Sequence, residues 1–198
     1  METKLSILNA LDKHSEGLHL RKLAETVHGS FPNIRRFAYN LADEGVLKTE
    51  RQGNLLNVKL NASLSTLAYM KEVHTARLLT RSESIKGFTL SIVQKLTPKP
   101  VIALIFGAYA QEKTPLKSTP LDVLFVFQNS EQQESLKQQV QQLSQSFHIA
   151  VNPIIVDYST FEKSFMDREH TFSNKIRKEN VLVVGVEYFY TLLWRFLG

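Results

Sequence analysis

The stretch SFPNIRRFAYNLADEGVLKTERQGNLLNVKL, residues 30–60, decides how the first part of the chain folds. Four apolar residues in it recur at the spacing of one helix face: Ile34, Phe37, Ala38 and Leu41. Ser30 is a residue type that commonly caps a helix N-terminus, and Pro32 is well tolerated in the first turn. Gly45 follows the last apolar position. The pattern therefore predicts a helix that begins after Ser30 and ends at Gly45.

The second half of the same stretch predicts a β-hairpin. Val46–Thr49 and Leu55–Leu60 have strand-like composition, and the turn-forming residues Arg51-Gln52-Gly53-Asn54 lie between them. Upstream, the leucines at positions 5, 8 and 11 predict a first helix, and a short strand around His19 and a second helix follow. The predicted order is helix, short strand, two helices and a hairpin.

Residues 1–61, including the segment ADEGVL at 42–47, resemble the winged helix-turn-helix family. The resemblance implies binding to double-stranded DNA, with the third helix in the major groove and the hairpin as a wing. The outward face of that helix and the wing then supply the side chains suited to bases and phosphates. These predicted DNA-binding residues are Ser30, Asn33, Arg35, Arg36, Tyr39, Asn40, Arg51, Gln52 and Asn54.

Residues 101–198 alternate strands with helices, which predicts an α/β domain with a mixed sheet. The segment IALIFGAYAQEKTPLKSTPLDVLFVF, residues 102–127, resembles the minimal nucleotidyltransferases of the DNA polymerase β superfamily. In that family a Gly-Ser turn holds a nucleoside triphosphate. An Asp-x-Asp pair and a third carboxylate hold divalent metal ions, typically Mg²⁺, that stabilise in-line displacement. Archaeal-type proteins that fuse a winged helix to this domain have the same order.

This chain departs from that motif at positions that bind phosphate and metal in the family. Gly107 and Asp122 match, but Ala108 replaces the serine and Pro120 replaces the first aspartate. Strand Ile149–Asp157 offers no obvious third acid. We therefore expect a catalytically degenerate domain with no metal or cofactor, in which Gly107 and Asp122 are relics. Loop lysines are either solvated or in contact with a nucleotide phosphate; they are Lys113 and Lys117.

Between these parts, residues 62–100 predict a helical connector that is rich in basic residues. The expected architecture is thus α+β, with a winged helix at 1–61, the connector, and the nucleotidyltransferase-like domain at 101–198. Within the last, Ser159 and Glu162 have capping-box spacing and predict the start of a helix.

Composition limits the other functions. The chain has 198 residues, with 24 Lys and Arg against 19 Asp and Glu, and a formal net charge of +5, which is compatible with a polyanionic partner. It has no cysteine, which excludes disulfides, thiolate zinc sites and cysteine nucleophiles. The N-terminal residues lack the apolar block of a signal peptide. We expect a cytoplasmic protein that does not enter a membrane.

Three functions remain open on the sequence. The first is a DNA-binding transcriptional regulator whose degenerate domain serves dimerisation or ligand sensing. The second is an active enzyme that uses Mg²⁺ and a nucleoside triphosphate to transfer a nucleotide to a protein or RNA, as an antitoxin modifying a toxin would. The third is an interaction scaffold that binds a protein partner, or a second copy as a homodimer, through apolar residues of the last helix.

Overall fold

The computed structural model describes residues 3–53, 55–111, 119–129 and 133–198, and these residues form an α+β structure with a mixed sheet, as expected. The chain divides into two compact units, Met1–Val73 and His74–Phe196. The division falls inside the predicted connector at 62–100. No helix in these described ranges is both long enough and apolar enough to cross a membrane.

The first unit is three helices and a small antiparallel sheet. Its elements are α1 (Thr3–Asp12), β1 (Leu18–His19), α2 (Leu20–Thr26), α3 (Phe31–Asp43), β2 (Leu47–Gln52) and β3 (Leu55–Leu60). The strand order is β1-β3-β2, with Leu18 and Thr49 both opposite Val58. The helices bury their apolar stripes against this sheet, and the core includes Leu8, Leu23, Ile34, Leu41 and Val58.

Helix α4 (Leu64–Leu79) contains the division between the units, and the remaining elements belong to the second unit. These are α5 (Glu83–Lys95), β4 (Ile102–Phe106), β5 (Leu121–Phe127), α6 (Gln133–Ser146), β6 (Val151–Asp157), α7 (Tyr158–Met166), α8 (Thr171–Lys178), β7 (Val181–Val184) and α9 (Val186–Leu197). The sheet order is β6-β5-β4-β7, parallel between β5 and β6 and antiparallel elsewhere.

One face of this sheet is covered by α5 and α6. Alternate residues of β5, such as Leu121 and Val123, pack with Phe88 and Ile92 of α5 and Leu136 of α6. Helix α5 was part of the predicted connector, but its apolar stripe is core for the second unit. The intervening β5 residues, Asp122 among them, lie on the opposite face because side chains alternate across a strand.

A buried polar network covers the outer edge of β7. His74 Nδ1 accepts a hydrogen bond from the Leu182 N–H at 3.1 Å, and His74 Nε2 lies 3.0 Å from the Tyr190 hydroxyl. Arg77 donates to the Asn180 carbonyl at 3.1 Å. Since Nδ1 is the acceptor, the ring proton is on Nε2 and is donated to Tyr190. The network satisfies backbone groups that an edge strand otherwise leaves unpaired.

Two local predictions are wrong. Ser159 does not cap α7; Asp157 does, accepting hydrogen bonds from the Thr160 N–H at 2.8 Å and the Ser159 hydroxyl at 2.7 Å. An aspartate at the end of β6 reaches the helix N-terminus directly, so the helix begins two residues earlier than the capping-box pattern indicates. Strand β2 is also longer than predicted, because Arg51 and Gln52 pair with β3 instead of forming the turn.

Candidate functional site

Helix α3 exposes the polar face that the sequence predicts for it. Ile34, Ala38 and Leu41 are buried, which turns the intervening residues outward. Ser30 occupies the N-cap position in extended conformation, but its side chain makes no capping hydrogen bond. The outward residues are the predicted ones: Arg35, Arg36, Tyr39 and Asn40 are exposed, and Asn33 is half-buried.

Local contacts hold the cationic side chains of this face. The Arg36 guanidinium donates to Asn33 Oδ1 at 2.9 Å and lies 4.9 Å from the centre of the Phe37 ring. The Arg35 guanidinium lies 5.6 Å from the centre of the Tyr39 ring. A cation above an aromatic ring keeps its charge and its outward N–H groups, so both arginines remain available to an acceptor from outside.

A groove of about 370 Å³ runs beside α3 and the β2–β3 hairpin. Three arginines from three different elements line it: Arg21 of α2, Arg35 of α3 and Arg51 of β2. Its lining also contains His19, Leu20, Phe31, Tyr39, Gly53, Leu55 and Leu56, and no carboxylate among the described residues. The groove is therefore cationic, with aromatic and aliphatic walls.

Three acidic residues of the first unit, Glu25, Glu44 and Glu50, form ion pairs with lysines. Glu50 pairs with Lys59 at 2.7 Å, and Glu25 pairs with Lys22 at 3.3 Å. Glu44 binds Lys4 at 2.7 Å and accepts a hydrogen bond from the Tyr69 hydroxyl at 2.7 Å. The hydrogen bond from Lys4, followed by that from Tyr69, lowers the pKa of Glu44 below its usual value. These ion pairs neutralise the acids locally and leave the groove arginines without an ion-pair partner among the described residues.

The structure brings some of the predicted residues together and separates others. Arg35, Tyr39 and Arg51 meet in the groove, whereas Arg36 and Asn40 are exposed elsewhere on α3. Asn33 is half-buried on the same helix, and Ser30 precedes it as the N-cap. Gln52 is in β2 opposite Leu55. Asn54 lies outside the described residues.

Sequence reasoning missed Arg21, Phe31 and His19. The Arg21 guanidinium lies 6.0 Å from the centre of the Phe31 ring, which joins α2 to the start of α3 at the groove. His19 Nδ1 is buried and has no hydrogen-bond partner in the described part of the chain. The signal that could have found Arg21 is its position one residue into α2, where a charged residue faces outward beside the following helix.

A second candidate site lies at the start of β5. Asp122 is opposite Phe106, the last residue of β4, and beside Asn152 of the parallel strand β6. Asn152 Nδ2 donates to Asp122 Oδ1 at 2.9 Å. Gly107 follows β4 with a φ of 68°, and a Cβ on it would lie 2.5 Å from Asp122 Oδ2. Position 107 therefore favours glycine for two reasons: its positive φ, and the Asp122 carboxylate that a side chain there would contact.

The donors at this site do not fit a pair of divalent cations. The position beside Asp122 on the neighbouring strand, where a third carboxylate would complete such a site, is occupied by the amide of Asn152. Pro120 offers no side-chain ligand, and Ala108 offers no hydroxyl to a phosphate. Within the described residues, no three His, Cys, Asp or Glu side chains form a group able to hold a metal. Lys113 and Lys117 lie outside the described residues.

Asp157, the one carboxylate of strand β6, serves a different purpose. The Thr160 N–H, and then the hydroxyls of Ser159 and Thr160, lower its pKa from 3.8 to about 2. It is five residues along the strand from Asn152 and is committed to the N-terminus of α7. It is therefore not the missing third acid.

The apolar residues of α9 are mostly inside the protein. Phe189, Leu192 and Leu193 are buried, whereas Tyr188 is 54% exposed. Most of the surface that the scaffold hypothesis needs is therefore not available to a partner.

Comparisons of the chain with protein-family models, curated proteins and solved structures found no match.

Proposed function

We propose that this chain is a DNA-binding protein that regulates transcription, with residues 1–61 acting as a winged helix-turn-helix domain. The observation that carries the proposal is the groove beside α3, which collects Arg21, Arg35 and Arg51 without a carboxylate in its described lining. A surface built in this way attracts a polyanion even though the unit as a whole has little net charge, because binding depends on the local phosphate contacts.

The side chains suit a duplex in two different ways. Along α3, Asn33, Arg36 and Asn40 are exposed or half-exposed on one face, where guanidinium and amide groups can read base edges in the major groove. In the groove, Arg35 comes from the helix and Arg51 from the hairpin, and both guanidinium groups can bind the sugar–phosphate backbone. The proposal therefore assigns sequence reading to α3 and backbone contact to the groove arginines.

We propose further that the second unit is a catalytically degenerate nucleotidyltransferase-like domain used for dimerisation or ligand sensing. The proposal is supported by the chemistry around Asp122. Its carboxylate accepts a hydrogen bond from the Asn152 amide, and proline and alanine occupy the other motif positions. Two hard cations require more oxygen ligands and more negative charge than this set provides.

The experiment is a fluorescence-anisotropy titration of the full chain against labelled duplex DNA at several salt concentrations. Replacing Arg21, Arg35 and Arg51 together with glutamine removes three phosphate contacts. Each contact contributes about 0.9 to the slope of log K against log salt, so the slope should fall by about 2.7. The matched control removes three exposed lysines of the second unit: Lys137, Lys175 and Lys178.

The control variant should keep the wild-type slope while carrying the same net charge as the groove variant. Absence of salt-sensitive binding by the wild-type chain, or equal slopes for the two variants, would reject DNA binding at this groove.

A further inference from the structure

A cleft of about 520 Å³ opens in the second unit at the beginning of α5. Leu121 contributes to its wall, whereas Asp122 lies on the other face of the sheet, since neighbouring residues of a strand point to opposite sides. The cleft is therefore separate from the Gly107–Asp122 site. Its volume falls within the range of about 300–1,000 Å³ that small-molecule sites occupy.

The unusual feature of the cleft is an arginine with no counter-charge among the described residues of its lining. Arg81 lines it, and burial, followed by the nearby charge of Arg77, lowers the pKa of the Arg81 guanidinium. Arg81 Nε is buried without an acceptor in the described part of the chain, and Nη2 lies 3.4 Å from the Gln111 carbonyl. Among the described residues, this half-buried cation meets a second cation and one distant carbonyl, and a bound anion would offset the cost of its burial.

Two serines of the cleft have uncommitted side chains, whereas the Thr80 hydroxyl already donates to the Arg77 carbonyl at 2.8 Å. Ser82 is the N-cap of α5, but its side chain makes no capping hydrogen bond, and neither it nor Ser84 has a hydroxyl partner among the described residues. The one carboxylate of this turn, on Glu83, is paired with Lys86 at 2.7 Å and is 90% exposed. The cleft thus offers a guanidinium and two hydroxyls with no competing acid in its described lining.

The rest of the described lining is largely apolar, with Thr119 and His148 as its further polar residues. Ile85, Leu121 and Ile149 line it, together with the ring of Tyr109, whose hydroxyl is already donated to the Thr119 carbonyl at 3.1 Å. A ligand that fits this surface has an anionic group at one end and an apolar or aromatic body at the other.

We propose that this cleft binds a small organic phosphate, with the phosphate on Arg81, Ser82 and Ser84 and the body against Ile85, Leu121 and Ile149. Guanidinium and hydroxyl groups form charge-assisted hydrogen bonds to phosphate oxygens. The inference is independent of DNA binding, because every residue it uses belongs to the second unit.

The test is isothermal titration calorimetry of the full chain with adenosine 5′-monophosphate, adenosine and inorganic phosphate. The monophosphate should bind one to one, and adenosine at least tenfold more weakly. Inorganic phosphate should compete with the monophosphate. Arg81→Gln should weaken monophosphate binding tenfold or more, whereas Lys95→Gln, an exposed charge at the other end of the same helix, should not change it.

Two further variants keep the result interpretable. The triple glutamine variant of Arg21, Arg35 and Arg51 should bind the monophosphate normally, which separates this cleft from the groove of the first unit. Ser84→Phe should fill the cleft and abolish binding without removing a charge.

Arg81→Gln should melt at or above the wild-type temperature because it removes a half-buried cation that no described residue neutralises. The inference is overturned if neither phosphate compound binds, if Arg81→Gln and Ser84→Phe bind like wild type, or if only the groove variant loses binding.

Discussion

Substitution of Gly107 tests whether its backbone lies against the Asp122 carboxylate. In Gly107→Ala the new methyl group would lie 2.5 Å from Asp122 Oδ2, so the carboxylate must rotate away and lose the hydrogen bond from Asn152. An alanine at a φ of 68° costs about 1–2 kcal/mol of backbone strain. Loss of a charge-assisted hydrogen bond adds about 1 kcal/mol at a half-exposed site, so the free energy of unfolding should fall by about 2–3 kcal/mol.

The two contributions separate in a double-mutant cycle. In an Asp122→Ala background only the backbone strain remains, so Gly107→Ala should cost about 1–2 kcal/mol, and the coupling between the two positions should be about 1 kcal/mol. Urea unfolding followed by the fluorescence of Trp194, the single tryptophan, measures both values in the second unit.

Gly45→Ala is the matched control for this cycle. Gly45 has a φ of 74°, and a Cβ there would meet nothing within 4 Å, so its cost should be strain alone and should not depend on Asp122. Gly45 belongs to the first unit, and the unfolding of that unit is followed by circular dichroism. An equal cost for Gly107→Ala in both backgrounds would refute the placement of Asp122 against Gly107.

Three other predictions concern the second unit. Asp157→Asn should lower the free energy of unfolding at neutral pH. Because folding lowers the pKa of Asp157 from 3.8 to about 2, the difference in unfolding free energy between variant and wild type should shrink as the pH falls through that interval. Urea midpoints measured against pH will show this. Asn152→Asp should destabilise the protein by about 1 kcal/mol through carboxylate repulsion with Asp122, and millimolar Mn²⁺ should raise the melting temperature of this variant but not of wild type; an identical response of both to Mn²⁺ would contradict the site geometry. His74→Ala should cost about 3 kcal/mol, because it removes the imidazole that accepts from the buried Leu182 N–H and donates to the Tyr190 hydroxyl, and a loss below 1 kcal/mol in urea unfolding would show that the network is not structural.

The parts of the fold that depend on local pattern could be predicted from the sequence. The stripe at Ile34, Ala38 and Leu41 gave the exposed face of α3 because helical periodicity determines which side chains point outward. The apolar run at Leu121–Phe127 is typical of a buried strand and forms β5. The predicted β2 is too short because Arg51 and Gln52 are not typical strand residues. Their backbone pairing with β3 nevertheless extends the strand to Gln52.

The features that the sequence did not show depend on contacts between distant residues. The neighbour of Asp122 is Asn152, 30 residues later, and only the parallel register of β5 and β6 puts them side by side. His74 and Tyr190 are separated by 116 residues, so no spacing motif indicates their hydrogen bond. Arg21 joins the groove through the packing of α2 beside α3, which periodicity alone does not specify.

The most direct test of the central claim is an amide NMR titration of the full chain with a short DNA duplex. Binding at the groove should shift the resonances of Arg21, Arg35, Tyr39, Arg51 and Gly53 first and most strongly, while those of α6 (Gln133–Ser146) in the second unit stay unchanged. Shifts confined to the second unit, or no shifts at low salt with excess duplex, would contradict DNA binding by α3 and the hairpin.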